Sequence, residues 1–382
     1  MMSTSSKSCV VVTCFSENQP GYLDFSYRIH ALAKQYNTTV LSQDPLDQSE
    51  LLVPSVTYVS MGRQNGKYGW LRYLWKCAAY SRAHRPNVLI LLHSSASPIA
   101  LLAGNIPTCL YWNEHPTNLI HLLDGFHPVR NCLAYVLQRL VFWGARCADL
   151  IMPIGEEHYA DLLLNGCKKE KLRLIYMGVD DSFSGASSIQ ADNTCPLQLI
   201  YIGSVSAQRG RDVMLEGMAQ ASRRGLNAHL TIVGATDEQL TYCNTRLPEL
   251  GLRECVSVKG RVPGKDIPAL LAKSDIGICL WEDKPWWRFN PPTKLFEYLV
   301  AGLPVLASDI RTHTRYVESW NNGLIFEYGA QGFADAVEEL VSNREKIAGM
   351  KSSALASGQQ YMWKKIEPEF IRLVKELATG SV

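Results

Sequence analysis

None of the eleven cysteines forms a CxxC pair, and an odd number at irregular spacing argues against a disulfide framework and against a zinc site. A reducing cytosol is the expected compartment. No window holds ~18 consecutive apolar residues, so nothing reads as a membrane span. Excess charge is absent too: Lys plus Arg number 38 and Asp plus Glu 36, a net +2 that leaves nucleic acid an unfavourable partner. A secretory leader is not legible either. Met1 to Lys7 is polar, and the apolar run from Cys9 to Phe15 is broken by Thr13, so it reads as a first strand. What remains is an ordinary globular composition, 47% hydrophobic and 19% charged over 382 residues, enough for two or three domains. The one imbalance is local, since residues 1–150 carry 12 basic and 8 acidic side chains.

Short β-rich runs alternate with longer amphipathic ones. Ser8 to Cys14, Thr38 to Leu41, Asn87 to Leu92, Thr108 to Trp112, Leu150 to Pro153 and Leu172 to Tyr176 read as strands, with a helix near Glu156 to Leu164. Residues 178–196 are small and polar and read as a linker. The rhythm then restarts with strands at Leu197 to Ile202, Ala228 to Val233, Val256 to Lys259, Ile276 to Leu280 and Val305 to Ser308, and helices at Asp212 to Arg223 and Lys294 to Ala301. A last amphipathic helix falls near Ile366 to Leu377. This pattern predicts an α/β fold of two domains with parallel sheets facing across a cleft, where ligands lie outside the carboxyl ends of strands.

The stretch 290–308, NPPTKLFEYLVAGLPVLAS, is the most informative. Pro291 and Pro292 cannot sit inside a helix and Thr293 is a good N-cap, so a helix is expected from Lys294 to Ala301, stopped by Gly302. Its free N–H groups and positive dipole end suit an anion. Glu297, one turn in, can accept two hydrogen bonds from a vicinal diol such as a ribose. A second constellation, IYIGSVSAQRGRD at 200–212, ends a strand at Gly203 and places Arg209 and Arg211 about Gly210 where a helix begins. A turn of N–H groups followed by a guanidinium suits a diphosphate. Ordinary turn chemistry is the competing reading, because the segment is neither GxGxxG nor GxxxxGK[ST].

Taken together, IYIGSVSAQRGRDVMLEGM, LTIVGA, VSVKGRVPGKDIPALLAKSDIGICLW and PPTKLFEYLVAGLPVLASD resemble the donor domain of retaining glycosyltransferases of family 4, which have the GT-B fold. ADLIMPIGEEHYADLLLNGCKKEKLRLIYMGVDDSFS resembles the family's interdomain stretch, and YMWKKIEPEFIRLVKELA its closing helix, which returns to the first domain. The resemblance implies an acceptor domain at 1–177, a linker at 178–196, a nucleotide-sugar domain at 197–357 and a returning segment at 358–382. It implies transfer of a hexose from a UDP- or GDP-linked donor to a glycan or lipid-linked acceptor with retention, in cell-surface polysaccharide or glycolipid synthesis. No cofactor and no metal would be required.

Position by position, the resemblance gives Glu297 the ribose and Arg209 the diphosphate. Gly203 and Ser204 fall on the phosphate-side turn, Thr293 and Lys294 at the helix end near the phosphates, and Arg261 with Val262 beside the base. Three positions depart from the family: Phe289 where many members carry a Glu, Ser204 in place of an Arg, and Met177 in place of an Asn. The loop Trp281 to Asn290 is then expected to hold the donor hexose, through Arg288, Glu282, Trp286 or Trp287, unless the tryptophans only pack the domain edge. In the first domain His115, within YWNEHPTN, resembles a family His near sugar and acceptor; an ordinary loop histidine is the alternative.

Two basic aromatic stretches, 66–85 and 127–147, read as helices covering the first sheet, with peripheral contact on the inner membrane face as a secondary expectation. Two other readings compete with the transferase. One is a silent relative that binds nucleotide or glycan as an assembly partner, motivated by Phe289, Ser204 and Met177. The other is a GT-B enzyme of different chemistry, such as a nucleotide-sugar epimerase.

Overall fold

The computed structural model describes residues 7–14, 22–43, 52–62, 66–120, 127–186 and 195–381. The chain divides into two compact units, one of residues 1–178 with 365–382, the other of residues 179–364. Among the described residues each unit holds one six-stranded parallel sheet.

In the first unit the strands are β1 (Ser8–Val12), β2 (Asn37–Ser42), β3 (Val56–Ser60), β4 (Val88–Leu91), β5 (Thr108–Trp112) and β6 (Leu150–Pro153), in the order β3-β2-β1-β4-β5-β6. The second unit repeats that order with β7 (Leu197–Ile202), β8 (Ala228–Ala235), β9 (Val256–Gly260), β10 (Ile276–Cys279), β11 (Val305–Ser308) and β12 (Gly323–Phe326), running β12-β11-β10-β7-β8-β9. Both are doubly wound sheets. The strand order reverses between β1 and β4 and between β7 and β10, and a crevice opens outside the carboxyl ends of such a pair. Central strands such as VLIL and IGIC are buried along their whole length, the mark of a sheet covered by helices on both faces.

Two strands, β3 and β12, were not legible in the sequence, and both lie at sheet edges. β3 mixes half-buried and exposed residues, and β12, though Leu324 and Phe326 are buried, is only four residues long and opens on a glycine, so neither stands out as a strand. The expected strand at Leu172 to Tyr176 is corrected to an extended segment with one bridge, Leu172 to Ile151. Arg173 and Ile175 donate to the carbonyls of Ile151 and Pro153, but Pro153 has no N–H to return, so no full ladder forms.

Of the expected linker, residues 187–194 lie outside the described residues, while Val179 already pairs with Met362 inside the second unit. The final helix, Trp363–Thr379, is longer than its periodicity suggested. Ile366, Phe370, Leu373, Val374 and Leu377 form its buried stripe, and from Lys365 onward it belongs to the first unit. There the buried Arg28 guanidinium lies 4.9 Å from the Phe370 ring, and Lys34 pairs with Glu367 at 2.9 Å.

Candidate functional site

In the second unit, β7 and β10 end side by side at the reversal of strand order, and the loops beyond them carry the sequence-predicted residues. Gly203 closes β7 at φ +140°, a conformation that glycine adopts freely. A Cβ there would stand 2.9 Å from Lys294 Nζ. The ammonium of Lys294 therefore sits directly over the turn, 3.7 Å from the face of Tyr201, whose hydroxyl donates to the Ser204 carbonyl at 2.9 Å. Ser204 itself is exposed on the turn.

The short 3₁₀ turn Ala207–Arg209 comes next, and Gly210, left-handed at φ +77°, switches the chain into the helix Arg211–Arg223. The switch separates the two arginines. Arg211 is held by Asp212, Nε to Oδ1 at 2.8 Å and Nη2 to Oδ2 at 3.0 Å, and lies 3.6 Å from the Tyr242 ring. Arg209 instead lays its guanidinium 4.3 Å from the ring centre of Trp287 and 5.1 Å from that of Trp281. Arg209 is thus the residue kept at the strand ends, and Arg211 is committed to its own helix.

The helix expected from Lys294 begins one residue earlier and runs Thr293–Ala301. The expectation that Thr293 caps it is corrected: Pro292 occupies the cap, and no side chain bonds to the first turn. The proline ring sets the entry, Leu295 N donates back to Pro292 O at 3.1 Å, and the N–H groups of Thr293 and Lys294 are left for water or a ligand. Leu295, Phe296, Leu299 and Val300 are buried as predicted, which fixes the face presented by Lys294 and Glu297. Tyr298 is buried as well. Its hydroxyl accepts from Ile202 N at 3.0 Å, and its ring lies where a Cβ on Gly277 would be, so helix, β7 and β10 are locked together. Burial pushes the Glu297 carboxyl up to about 7, with Lys294 opposing the shift.

The loop expected to hold a hexose is built around a tryptophan stack. Trp287 is buried and stacks on Trp281, ring centres 4.7 Å apart at 25°, with Trp286 packed against the pair. For Trp287 the edge-packing reading therefore holds. Arg288 is paired with Asp283 at 2.7 and 2.8 Å on the exposed side, and Glu282 with Lys284 at 2.8 Å.

Sequence reasoning missed what fastens this loop. Ser308 Oγ accepts from Trp281 N at 2.9 Å and lies 2.8 Å from Trp281 O, while Thr312 Oγ1 donates to Trp287 O at 2.9 Å. His313, pushed down to about 3 by burial and therefore neutral, backs Ser308 through Nδ1 at 3.2 Å. No local motif announces that set, because its members are distant in sequence from the loop they hold. Arg261 and Val262 come directly after β9, the edge strand, with Arg261 exposed and Val262 half-buried.

In the first unit His115 lies beyond the carboxyl end of β5 and is buried. It caps the short helix Pro116–Leu119: Nδ1 accepts from Thr117 N at 3.3 Å and contacts Thr117 Oγ1 at 2.6 Å. Nε2 lies 3.1 Å from Asp161 Oδ2. Both ring nitrogens are engaged, so the imidazole is held in one orientation. His93, which the sequence reading passed over, lies just beyond β4 at the reversal of strand order. It caps the 3₁₀ segment Ser94–Leu101 through Ser95 N at 3.1 Å, and burial pushes it down to about 3.

Comparisons with known proteins agree with this architecture. Residues 28–183 match the family described as Glycosyltransferase Family 4, and residues 196–343 match Glycosyl transferases group 1, so the two matches together take in most of both units. Among curated proteins, the putative colanic acid biosynthesis glycosyltransferase WcaL of Salmonella typhimurium is 25% identical over 53% of this chain and 53% of its own. The amylovoran biosynthesis glycosyltransferase AmsK of Erwinia amylovora is 23% identical over 52% of each. The chain thus spans about half the length of these curated relatives. Among solved structures, Anabaena HepE, crystallised with UDP and glucose, superposes with a TM-score of 0.72 at 17% identity over 97% of this chain and 99% of that one. The two sheets, their order and these likenesses give the GT-B fold.

Proposed function

The chain belongs to the glycosyltransferases of group 1 and family 4, and from that premise we propose that it moves a hexose from a UDP- or GDP-linked donor to a glycan or lipid-linked acceptor, with retention of configuration. The product would be a cell-surface polysaccharide or glycolipid, in line with the named roles of WcaL and AmsK. One observation carries this reading: Lys294 Nζ over the Gly203 turn, Arg209 beside it on the tryptophan pair, and Glu297 one turn into an uncapped helix.

In this reading the diphosphate meets Lys294, Arg209, the first-turn N–H groups of Thr293 and Lys294, and the backbone of Gly203 and Ser204. Glu297 accepts from the ribose hydroxyls, and Arg261 with Val262 flank the base. The bond from the anomeric carbon to the diphosphate oxygen breaks and a bond to the acceptor oxygen forms on the same face. The acceptor proton passes to the departing diphosphate. The side chains then contribute position and charge stabilisation of the leaving group, without a protein nucleophile. His115, fixed by Thr117 and Asp161, serves as a positioning residue for the acceptor-side loop.

Calorimetry with UDP, GDP and ADP tests the donor site. One diphosphate is expected to bind, and Glu297→Ala to weaken it more than about tenfold, ~1.4 kcal/mol. Unchanged affinity in the variant, or no binding of any diphosphate, overturns the assignment. Phe289 at a position where many family members carry a Glu supports a second reading, a silent relative that binds nucleotide as an assembly partner. Nucleotide binding without acceptor-dependent release of the diphosphate would favour it.

A further inference from the structure

The first unit carries an exposed surface that the donor chemistry does not use. Helices Gly66–His84 and Pro128–Cys147 cover the same side of the first sheet, with the 3₁₀ segment Ser94–Leu101 between them. Tyr73, Cys77, Ile99, Val141 and Phe142 share one core with Val10, Val12, Leu89 and Leu91, which alternate along their strands and so point to one face. The three segments are fastened side by side. Trp70 Nε1 donates to Ser95 O at 3.1 Å, and Ser97 Oγ donates to Val141 O at 2.6 Å. Gly144 lets the second helix come so close that a Cβ would overlap the Ser97 backbone.

Because the inner faces are fixed, the outer faces are fixed too. On the first helix, Tyr68, Leu71 and Trp75 recur at helical spacing away from the core, Tyr68 84% and Trp75 64% exposed. On the second, Val129, Leu133, Val136 and Trp143 do the same, Val129 81% and Trp143 48% exposed. Leu101 and Leu102 are exposed at the end of the segment between them. Residues of this size do not normally face water in a contiguous set.

The two helices that carry these stripes bear charge of one sign. Neither helix contains an Asp or a Glu, and residues 66–147 hold eight Lys and Arg against two carboxylates. Arg72 and Arg82 are exposed beside the first stripe, Arg130 and Arg146 beside the second. A twofold contact with a second copy would set these like charges against each other. An anionic lipid surface complements both features, taking tryptophan and leucine at the headgroup boundary and guanidinium against phosphate.

We propose that the outer face of helices Gly66–His84 and Pro128–Cys147 docks the protein on an anionic bilayer. Docking is peripheral, since among the described residues no helix is long and apolar enough to cross a membrane. The consequence that the acceptor is drawn from that bilayer rests on the transferase reading above; the docking face does not.

The test is co-sedimentation of the full chain with vesicles of equimolar phosphatidylcholine and phosphatidylglycerol, and with phosphatidylcholine alone. Binding is expected to the anionic vesicles, weakening as salt rises. The double variants Trp75→Ala with Trp143→Ala, and Arg72→Glu with Arg130→Glu, are each expected to weaken it more than tenfold while calorimetric nucleotide binding stays at the wild-type level. Equal binding to both vesicle types, or wild-type binding in both variants, overturns the proposal. So does a wild-type dimer that the tryptophan variant returns to monomer, which would assign the face to a second copy. Vesicle binding by a protein that binds no nucleotide counts against the donor site alone.

Discussion

The two units share one strand order and differ in the loops that leave the carboxyl ends of their strands. After β7 and β10 the chain spends glycine and charge: Gly203 and Gly210 in left-handed turns, with Lys294, Arg209 and Glu297 gathered about them. After β4 and β5 it spends histidine, and His93 and His115 turn inward to cap short helical segments. One scaffold therefore gathers charged side chains about glycine turns in one unit and carries self-satisfied loops in the other. The sheet dictates where a site can be, and the loop residues decide whether one is built.

The comparison breaks most visibly at Arg209. Removing a guanidinium that makes charge-assisted bonds costs ~2 to 3 kcal/mol, so Arg209→Ala is expected to lower diphosphate affinity about 30- to 150-fold by calorimetry. Arg211→Ala, whose partners are Asp212 and Tyr242, is expected to change it little. Equal losses in both would mean that the division of labour at Gly210 is wrong.

Trp287→Leu probes the platform beneath Arg209. Loss of a partly desolvated cation–π contact is worth ~1 to 2 kcal/mol, so diphosphate affinity should fall less than in Arg209→Ala, and the double variant should lose no more than Arg209→Ala does. Additive losses would show that Trp287 acts by another route.

His115→Ala tests the opposite unit. Loss of a helix cap costs ~1 kcal/mol, to be read as a lowered denaturation midpoint, with diphosphate affinity unchanged and kcat reduced through a loosened loop. His115→Asn, which can still cap, should recover both. A variant of undiminished stability whose kcat neither residue restores would place the imidazole on the reacting atoms.

The last comparison lies in pH. The Glu297 carboxyl rises from an ordinary 4.5 to about 7 in the folded protein, so across that window the native state binds the extra proton and stability falls as pH rises. Glu297→Gln, neutral throughout, is expected to raise the Tm of the nucleotide-free protein near about pH 8 and to leave it unchanged near about pH 4. A Tm that tracks wild type at both values would locate the titration elsewhere.

Much of this site was written locally. Pro291 and Pro292 ahead of an apolar stripe and Gly302 announce a helix and its direction, and the structure moved its start by one residue. Gly203 and Gly210 announce turns, because a Cβ would be strained or obstructed at each. The edges were harder: β3 has too little buried surface to leave an apolar run, β12 is only four residues long and opens on a glycine, and Leu172 to Tyr176 has the run but faces a proline. The tryptophans left two readings open for a related reason, since an aromatic loop reads the same whether its rings face solvent or one another.

By itself the sequence determined the doubly wound α/β architecture, the helix that presents Lys294 and Glu297, and the turn that carries Arg209, because periodicity, proline and glycine act over a few residues. Only the tertiary structure decided which arginine stays at the strand ends, that Ser308, Thr312 and His313 hold the tryptophan loop, and that His115 is engaged at both nitrogens. Those outcomes depend on burial and on hydrogen bonds between residues far apart in the chain, and no local pattern of side chains encodes which distant partner will arrive.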